Sequence, residues 1–150
     1  MGAVRAPLAK GGMAVLIVVT AWLRAYVAAW NDHGVDVIVD LYDVGARRVS
    51  PVGALEGRDA IRSFVQGLFA MSPDTTIELG RTAENHNDVL FEFVDRGTHQ
   101  GPLKTPAGEI AGTGRTFIIK GAGAISVVDG RIANECLYFD PADLIRQLTG

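Results

Sequence analysis

The sequence is poor in the residues that covalent cross-links and metal centres require. Its 150 residues include one cysteine, Cys136, and three histidines. A single cysteine excludes an internal disulfide, and inside a predicted strand it is best interpreted as a small buried apolar residue. These residues do not lie at metal-ligand spacings, so we expect no metal. No dinucleotide fingerprint occurs, and the glycine-rich stretch Gly121-Ala-Gly-Ala124 opens no helix, so we expect no cofactor.

The chain also lacks an excess of positive charge. Lys and Arg number 14 against 17 Asp and Glu, for a formal net charge of -3. There is no basic stripe and no aromatic platform flanked by arginine, which disfavours nucleic acid and anionic membranes as partners. Eleven of the basic residues are Arg. Together with abundant Ala, Gly and Val, this bias indicates a GC-rich bacterial genome.

No apolar run is long enough to span a membrane. The run that begins at Met13 stops at Arg24 after eleven residues, well short of the roughly 20 that a spanning helix needs. It imitates a signal peptide, but it continues as helix-forming sequence to Trp30, so we interpret it as a core helix. We therefore expect a flexible tail at residues 1–12, one domain over residues 13–150, no membrane partner and a cytoplasmic location.

The chain contains enough apolar sequence for a core, and its elements follow a clear order. Hydrophobic residues make up 48% and charged residues 21%, which suits one folded domain. Three helical patterns precede a series of antiparallel strand patterns, and Asp140-Pro141 begins a short terminal helix. This order is typical of an α+β fold. The predicted helices cover 14–31, 35–42 and 58–71, and the predicted strands cover 49–52, 75–82, 89–99, 112–128 and 131–139.

Glycines predict further details of the strands. Asp129-Gly130 indicates a type I′ hairpin turn between the last two strands. Gly121 and Gly123 predict a bulge in the long strand before that turn. Residues 102–108 are expected to form a loop.

Several short segments, taken with their order and spacing, resemble the SnoaL-like polyketide cyclases of the nuclear-transport-factor-2-like superfamily. Limonene epoxide hydrolases share that fold. The resemblance covers about residues 14–149. The segments that carry it include Trp30-Asn-Asp-His33, Gly57-Arg-Asp-Ala-Ile-Arg62, Gly97-Thr-His-Gln-Gly101, Val128-Asp-Gly-Arg-Ile132 and Tyr138-Phe-Asp140.

The resemblance implies a cone: a highly curved, six-stranded sheet packed on about three helices. It also implies a deep apolar pocket for a small hydrophobic molecule, and a homodimer that forms through the outer face of the sheet. It does not fix the function, because folds of this kind carry enzymes, binding modules and structural units alike.

The catalytic residues that the resemblance implies are largely missing. In the cyclases an Asp on the last strand works with a His and a Gln on the preceding strand, and these positions are Leu137, Gly123 and Gly121 here. In the epoxide hydrolases an Asp-Arg-Asp set acts. Asp95 matches the first Asp of that set, but Phe93 replaces the Arg and Leu137 replaces the second Asp. Both mechanisms are therefore disfavoured.

A different polar set remains available for acid–base chemistry. Strand alternation places Phe91, Phe93 and Asp95 on one face, which the resemblance identifies as the pocket face. Glu135 shares the pocket face of the last strand, and His99 lies two residue pairs beyond Asp95. Asp95, His99 and Glu135 are thus the candidate catalytic residues. Burial in an apolar cone is expected to raise the pKa of a carboxyl group towards neutrality.

Each candidate also has a structural interpretation. Asp95 can pair with Arg96 or Arg115 at the rim of the cone. His99 can bond backbone groups at a strand end, and Glu135 is exposed if the register slips by one residue. Asp140 is better explained as a helix cap than as a catalytic group.

We therefore predict an enzyme that uses cofactor-free acid–base chemistry on a hydrophobic, oxygenated molecule such as a polyketide. Cyclisation, isomerisation and dehydration all fit. The alternatives are a ligand-binding or accessory protein that lost catalysis, a structural dimer unit, and an epoxide hydrolase. The residues expected to bind substrate or border the cavity are Trp30, Phe64, Leu68, Phe91, Phe93, Leu137 and Tyr138.

Overall fold

The computed structural model describes the backbone of residues 12–150 and the side chains from Ala21 onward. Most of the predicted tail, residues 1–11, therefore lies outside the described residues. The described part is an α+β arrangement of helices and strands. The helices are α1 (Gly12–Asn31), α2 (Val35–Asp40), α3 (Gly57–Met71) and α4 (Pro141–Thr149). The strands are β1 (Tyr42–Ser50), β2 (Gly53–Glu56), β3 (Thr76–Asn85), β4 (Asp88–Thr98), β5 (Leu103–Thr105), β6 (Gly108–Ile110), β7 (Thr116–Val128) and β8 (Arg131–Tyr138).

Six of the strands form one curved, mixed sheet in the order β2-β1-β8-β7-β4-β3. β1 runs parallel to β8, and every other neighbouring pair in this sheet is antiparallel. The predicted six-stranded sheet packed on helices is therefore confirmed. β5 and β6 form a separate small hairpin, which overlaps the predicted loop at residues 102–108 and extends to Ile110.

The turn between β7 and β8 sets the register of the strands that carry the site. Asp129 and Gly130 have φ angles of 50° and 77°, as the predicted type I′ turn requires. Leu137 then lies opposite Gly123, and Glu135 lies opposite Ile125. A slip of one residue would move both side chains to the outer face.

The structure corrects the predicted boundaries between residues 35 and 56. The second helix ends at Asp40 rather than at residue 42, because Tyr42 is fully buried and begins β1 opposite Ile132 of β8. β1 is consequently much longer than the predicted strand at 49–52. Pro51 lies in the turn to β2 rather than in a strand, which fits a residue that cannot donate a ladder hydrogen bond.

The predicted bulge at Gly121 and Gly123 is wrong. Pairing of β4 with β7 is regular along its whole length, and the irregularity in β7 lies against β8, between Ser126 and Val127. Glycine is needed at both positions because a side chain there would clash with neighbouring atoms. A Cβ on Gly121 would lie 2.6 Å from Cζ of Phe93, and one on Gly123 would lie 2.8 Å from Cδ2 of Leu137.

The helices cover the concave face of the sheet and close its ends. α1 contributes Trp22, Tyr26 and Trp30 to the main core, all at most 4% exposed. Asp140 caps α4 as predicted, accepting hydrogen bonds from the backbone N–H groups of the next turn. The Gln147 side chain then bonds both the N–H and the C=O of Ile118, at 2.8 and 2.9 Å, and so fastens α4 to β7. Within the described residues, no helix is long and apolar enough to cross a membrane.

We predict that Gly121→Ala destabilises the protein by about 1–3 kcal/mol, the usual cost of overpacking a core. The added methyl group would also lie 2.6 Å from the backbone oxygen of Tyr138, which cannot turn away as a side chain does. The free energy of unfolding from urea titration measures the effect.

Gly67→Ala is the matched control for this substitution. Gly67 lies on the exposed side of α3, and nothing lies within 4 Å of the position that its Cβ would occupy. Alanine favours a helix interior by about 1 kcal/mol over glycine, so this variant should be at least as stable as the wild type. Equal effects of the two substitutions would contradict our explanation of Gly121.

Candidate active site

A cavity of about 120 Å³ lies between the concave face of the sheet and helices α1, α3 and α4. Its walls are apolar except at a few positions, and six of the seven residues predicted to border it do so. These six are Trp30, Phe64, Leu68, Phe91, Phe93 and Leu137. Tyr26, Met71, Phe117 and Phe139 add further wall.

The seventh predicted wall residue, Tyr138, is not at the cavity. Its side chain is 63% exposed on the outer face of the sheet. It directly follows Leu137, which does line the cavity, and successive side chains of a strand point to opposite faces. The expected role of Tyr138 as a border of the pocket is therefore wrong.

Asp95 reaches the cavity from the middle of the sheet. On β4 it lies between Ile77 of β3 and Ile119 of β7, and it lines the apolar wall. The hydroxyl of Thr75 donates a hydrogen bond of 2.6 Å to its Oδ1. Within the described part of the chain Asp95 forms no ion pair, so the alternative pairing with Arg96 or Arg115 is not found.

The pKa of Asp95 follows from these surroundings. Burial among apolar side chains raises its pKa to about 6. The hydrogen bonds from Thr75 and from the backbone of Arg96 act in the opposite direction, because they stabilise the charged form, but they are weaker. Asp95 is thus a carboxyl group that can both accept and donate a proton near neutral pH.

Residues at and just after the end of α1 hold Thr75, the hydrogen-bond donor to Asp95, in place. Nε2 of His33 lies 2.8 Å from the carbonyl oxygen of Thr75, and its ring stacks on Phe69 at 4.3 Å. The Asn31 side chain bonds both the N–H and the C=O of Ile77. Thr75 and His33 therefore support the site, and our sequence analysis did not identify them as such.

His99 does not join Asp95 in the cavity. It is fully buried but is not among the residues that line the cavity. Its Nδ1 lies 3.0 Å from the Thr113 hydroxyl and accepts the Thr113 N–H at 3.3 Å. Its backbone N–H donates to Arg115. The predicted pairing of Asp95 with His99 is therefore not found among the described residues. His99 instead joins the end of β4 to Thr113 and Arg115 by hydrogen bonds.

Glu135 lies on the inner face, as predicted, but neighbouring side chains donate hydrogen bonds to both of its carboxylate oxygens. It is fully buried. Tyr26 donates to its Oε1 and Tyr42 donates to its Oε2 at 2.5 Å. Nε of Arg48 donates to Oε2 at 3.1 Å. Because both oxygens are occupied, the geometry argues against Glu135 as the proton-transfer group; we refer to these four residues as the Glu135 cluster.

The tyrosines and the arginine of the Glu135 cluster stay protonated, because their pKa values are raised. Burial raises the pKa of Tyr26 and of Tyr42 well above their ordinary values, and the negative charge of Glu135 raises them further. Burial tends to lower the pKa of Arg48, but the neighbouring Glu135 and tyrosines outweigh it and the net shift is upward. Arg48 therefore stays charged, and both phenols stay neutral.

Arg48 is a further polar residue that reaches the cavity, and it was not predicted from the sequence. It lines the cavity, its side chain is 7% exposed, and its guanidinium lies 4.3 Å from the centre of the Phe64 ring. In a single sequence nothing separates it from the adjacent Arg47, which is exposed and pairs with Glu56. Only the pairing of β1 with β8 turns Arg48 inward.

The cone of helices and mixed sheet around an apolar cavity defines the nuclear-transport-factor-2-like class of folds. Residues 23–135, more than half of the chain, match the SnoaL-like domain family. The chain therefore belongs to that family. Among curated proteins, none matches the chain significantly by sequence.

Solved structures agree on the fold at low sequence identity. AclR, a candidate hydroxylase from Streptomyces galilaeus, is 19% identical with a TM-score of 0.75, over 86% of this chain and 93% of that one. IdmH, a candidate polyketide cyclase from Streptomyces antibioticus, is 21% identical with a TM-score of 0.72, over 87% and 98%. An LEH-like epoxide hydrolase from M. tuberculosis is 17% identical with a TM-score of 0.65, over 85% and 86%.

Nothing in the described part of the chain suggests a metal centre. No group of three or more His, Cys, Asp or Glu residues within residues 12–150 is placed to hold an ion. The polar residues of the cavity wall are Asp95, Arg48, Tyr26 and Trp30, and the buried indole N–H of Trp30 has no hydrogen-bond partner on any residue that the structure describes.

We predict that Asp95→Asn stabilises the protein above pH 6. The pKa of Asp95 is about 6 in the folded protein and near 3.8 when it is unperturbed. Well below pH 3.8 both states are protonated. As the pH rises to 6, only the unfolded state releases its proton freely, so the wild type loses stability. The difference reaches about 3 kcal/mol at most, and urea titrations between pH 4 and 8 measure it.

Asp59→Asn, an exposed residue in the first turn of α3, is the control and should show no such pH dependence. If the stabilities of wild type and Asp95→Asn stay parallel from pH 4 to 8, the raised pKa of Asp95 is wrong.

Proposed function

We propose that this protein is an enzyme that carries out cofactor-free acid–base chemistry on a small, hydrophobic, oxygenated molecule such as a polyketide. One observation carries the proposal: a carboxyl group with a pKa of about 6 lines a cavity whose walls are otherwise almost entirely apolar. Perturbed carboxyl groups in clefts are characteristic of catalytic sites.

The proposed reaction begins with proton abstraction by Asp95. Near pH 7 most of the Asp95 carboxylate is ionised and takes a proton from a carbon next to a carbonyl group. The carboxylic acid that forms then returns this proton to oxygen or to another carbon. Isomerisation, ring closure and dehydration all use this pair of steps, and none of them needs an oxidant or a reductant.

The volume of the cavity limits the size of the group that it can enclose. The cavity of about 120 Å³ is similar to an engineered apolar cavity of about 150 Å³ that binds benzene in another protein. We infer that one ring, or a chain segment of that size, occupies the enclosed part, and that a larger substrate extends beyond it.

A non-catalytic ligand-binding or accessory role is the second candidate. Its support is that His99 does not line the cavity and Glu135 is occupied by structural partners, which leaves one carboxyl group in the cavity. Epoxide hydrolysis is less well supported, because the positions that would complete an Asp-Arg-Asp set are Phe93 and Leu137, both apolar parts of the wall.

We also propose a homodimer through the outer face of the sheet. Leu90, Ile118 and Tyr138 all point outward from adjoining strands and are 50%, 45% and 63% exposed. Large apolar side chains on an open sheet face favour association.

We predict that the protein catalyses deuterium exchange at the carbon between the two carbonyl groups of benzoylacetone in D₂O, which proton NMR follows. The exchange rate should rise with pH through an apparent pKa of about 6 as Asp95 ionises. Asp95→Asn should lose about 100- to 10,000-fold of the catalysed rate. Thr75→Val should shift the apparent pKa upward, because the hydroxyl that stabilises the carboxylate is removed.

Asp59→Asn again serves as the control and should exchange at the wild-type rate. Binding of benzoylacetone without any catalysed exchange would favour the accessory role over the enzyme. Full exchange activity in Asp95→Asn would show that Asp95 is not the base.

A further inference from the structure

The two polar ends of the cavity lie far apart along the sheet. Arg48 and Glu135 lie side by side on β1 and β8, and Glu135 continues through Ile125 of β7 to Val89 of β4. Asp95 lies six residues further along β4 than Val89, which is roughly 20 Å of strand. Arg48 and Asp95 therefore lie in different rows of residues across the sheet, although both residues line the same cavity.

The hydrogen bonds of the Glu135 cluster leave donor capacity on Arg48. Glu135 accepts the Nε–H of Arg48 and the hydroxyls of two tyrosines, which fill three of the roughly four acceptor sites of a carboxylate. A guanidinium has five N–H donors and no acceptor. Tyr42 also hydrogen-bonds the Arg48 side chain, and most of the four N–H groups on the two terminal nitrogens of Arg48 remain outside the cluster.

The cluster also fixes the orientation of the guanidinium. The bond to Glu135 restrains one edge, and the Phe64 ring lies 4.3 Å from the guanidinium carbon on one face. A planar cation stacked on an aromatic ring is a stable arrangement. An arginine that is so restrained loses little freedom when a ligand oxygen binds it.

We propose that Arg48 anchors an acceptor-only oxygen of the ligand, a carbonyl or a carboxylate oxygen, at the end of the cavity remote from Asp95. The ligand class is accordingly a hydrophobic molecule with such an oxygen at the end away from its reacting carbon. Tyr26, Tyr42 and Glu135 act as positioning residues for Arg48. The assignment rests on the proposed function for the role of Asp95, but binding at Arg48 does not require turnover.

Three probes of similar size test the anchor: 4-phenylbutan-2-one with a carbonyl oxygen, 3-phenylpropanoate with a carboxylate, and butylbenzene with no oxygen. Calorimetry and the fluorescence of Trp30, which lines the cavity, give the dissociation constants. We expect the ketone, the carboxylate or both to bind about 10- to 100-fold tighter than butylbenzene, as suits a hydrogen bond to a charged group. Whichever oxygen compound binds tighter identifies the group that Arg48 prefers.

Arg48→Met should remove this preference and leave butylbenzene binding within about threefold of the wild-type value, since methionine keeps an apolar wall. Arg47→Met is the matched control. It makes the same change at the adjacent position of β1, where the side chain is exposed, and it should keep the preference. A preference that survives in Arg48→Met overturns the proposal, and so does a wild type that binds all three probes equally or not at all.

Arg48→Met leaves Glu135 buried without its cation, and this variant can fail to fold. The double variant Arg48→Met with Glu135→Gln removes both charges together and carries the same expectations. Asp95→Asn separates the two proposals. It should lose deuterium exchange and keep the oxygen preference. Loss of the preference in Asp95→Asn as well would overturn the assignment of the anchor to Arg48.

Discussion

The buried carboxylate of Glu135 is the interaction on which the arrangement of the site depends. It joins α1 through Tyr26, β1 through Tyr42 and Arg48, and β8 through its own backbone. A carboxylate without partners would be very costly at full burial, and three donors offset that cost. Burial of Glu135 requires hydrogen-bond donors from α1 and β1. These hydrogen bonds in turn hold α1 and β1 against β8 at one point.

This constraint has a consequence for the parallel pairing of β1 with β8. The pairing is irregular between Tyr42 and Arg47 and becomes regular where Arg48 meets Glu135. An ion pair in that row favours one register over its neighbours, because a slip of one residue would leave a buried charge alone. Burial of polar groups thus contributes to the uniqueness of the fold, while the apolar cluster around Trp22, Trp30 and Ile38 supplies most of the burial.

Local signals predicted the parts of the fold that local interactions determine. The Asp129-Gly130 turn, the cap at Asp140 and helix α3 were all readable, since the residues that define each one are close in sequence. Arg48 was not, because its partner Glu135 lies 87 residues away and no pattern in β1 marks the inward side. His99 was misplaced because its partner Thr113 lies 14 residues away, in a loop whose conformation no local pattern predicts. Tyr138 was a different kind of error, because alternation with Leu137 already excluded it from the pocket.

The fit between the glycines of β7 and the phenylalanines of β4 bears on how such a cavity changes during evolution. Each ring of Phe91 and Phe93 lies over a position without a side chain, so bulk on one strand is matched by its absence on the next. Bulk can be exchanged between the two strands by paired substitutions that keep the total side-chain volume nearly constant. Such exchanges would reshape the binding space while leaving Asp95, Thr75 and the Glu135 cluster untouched. The shape of the cavity and the polar groups around it can therefore change independently in this architecture, and drift in the first need not disturb the second.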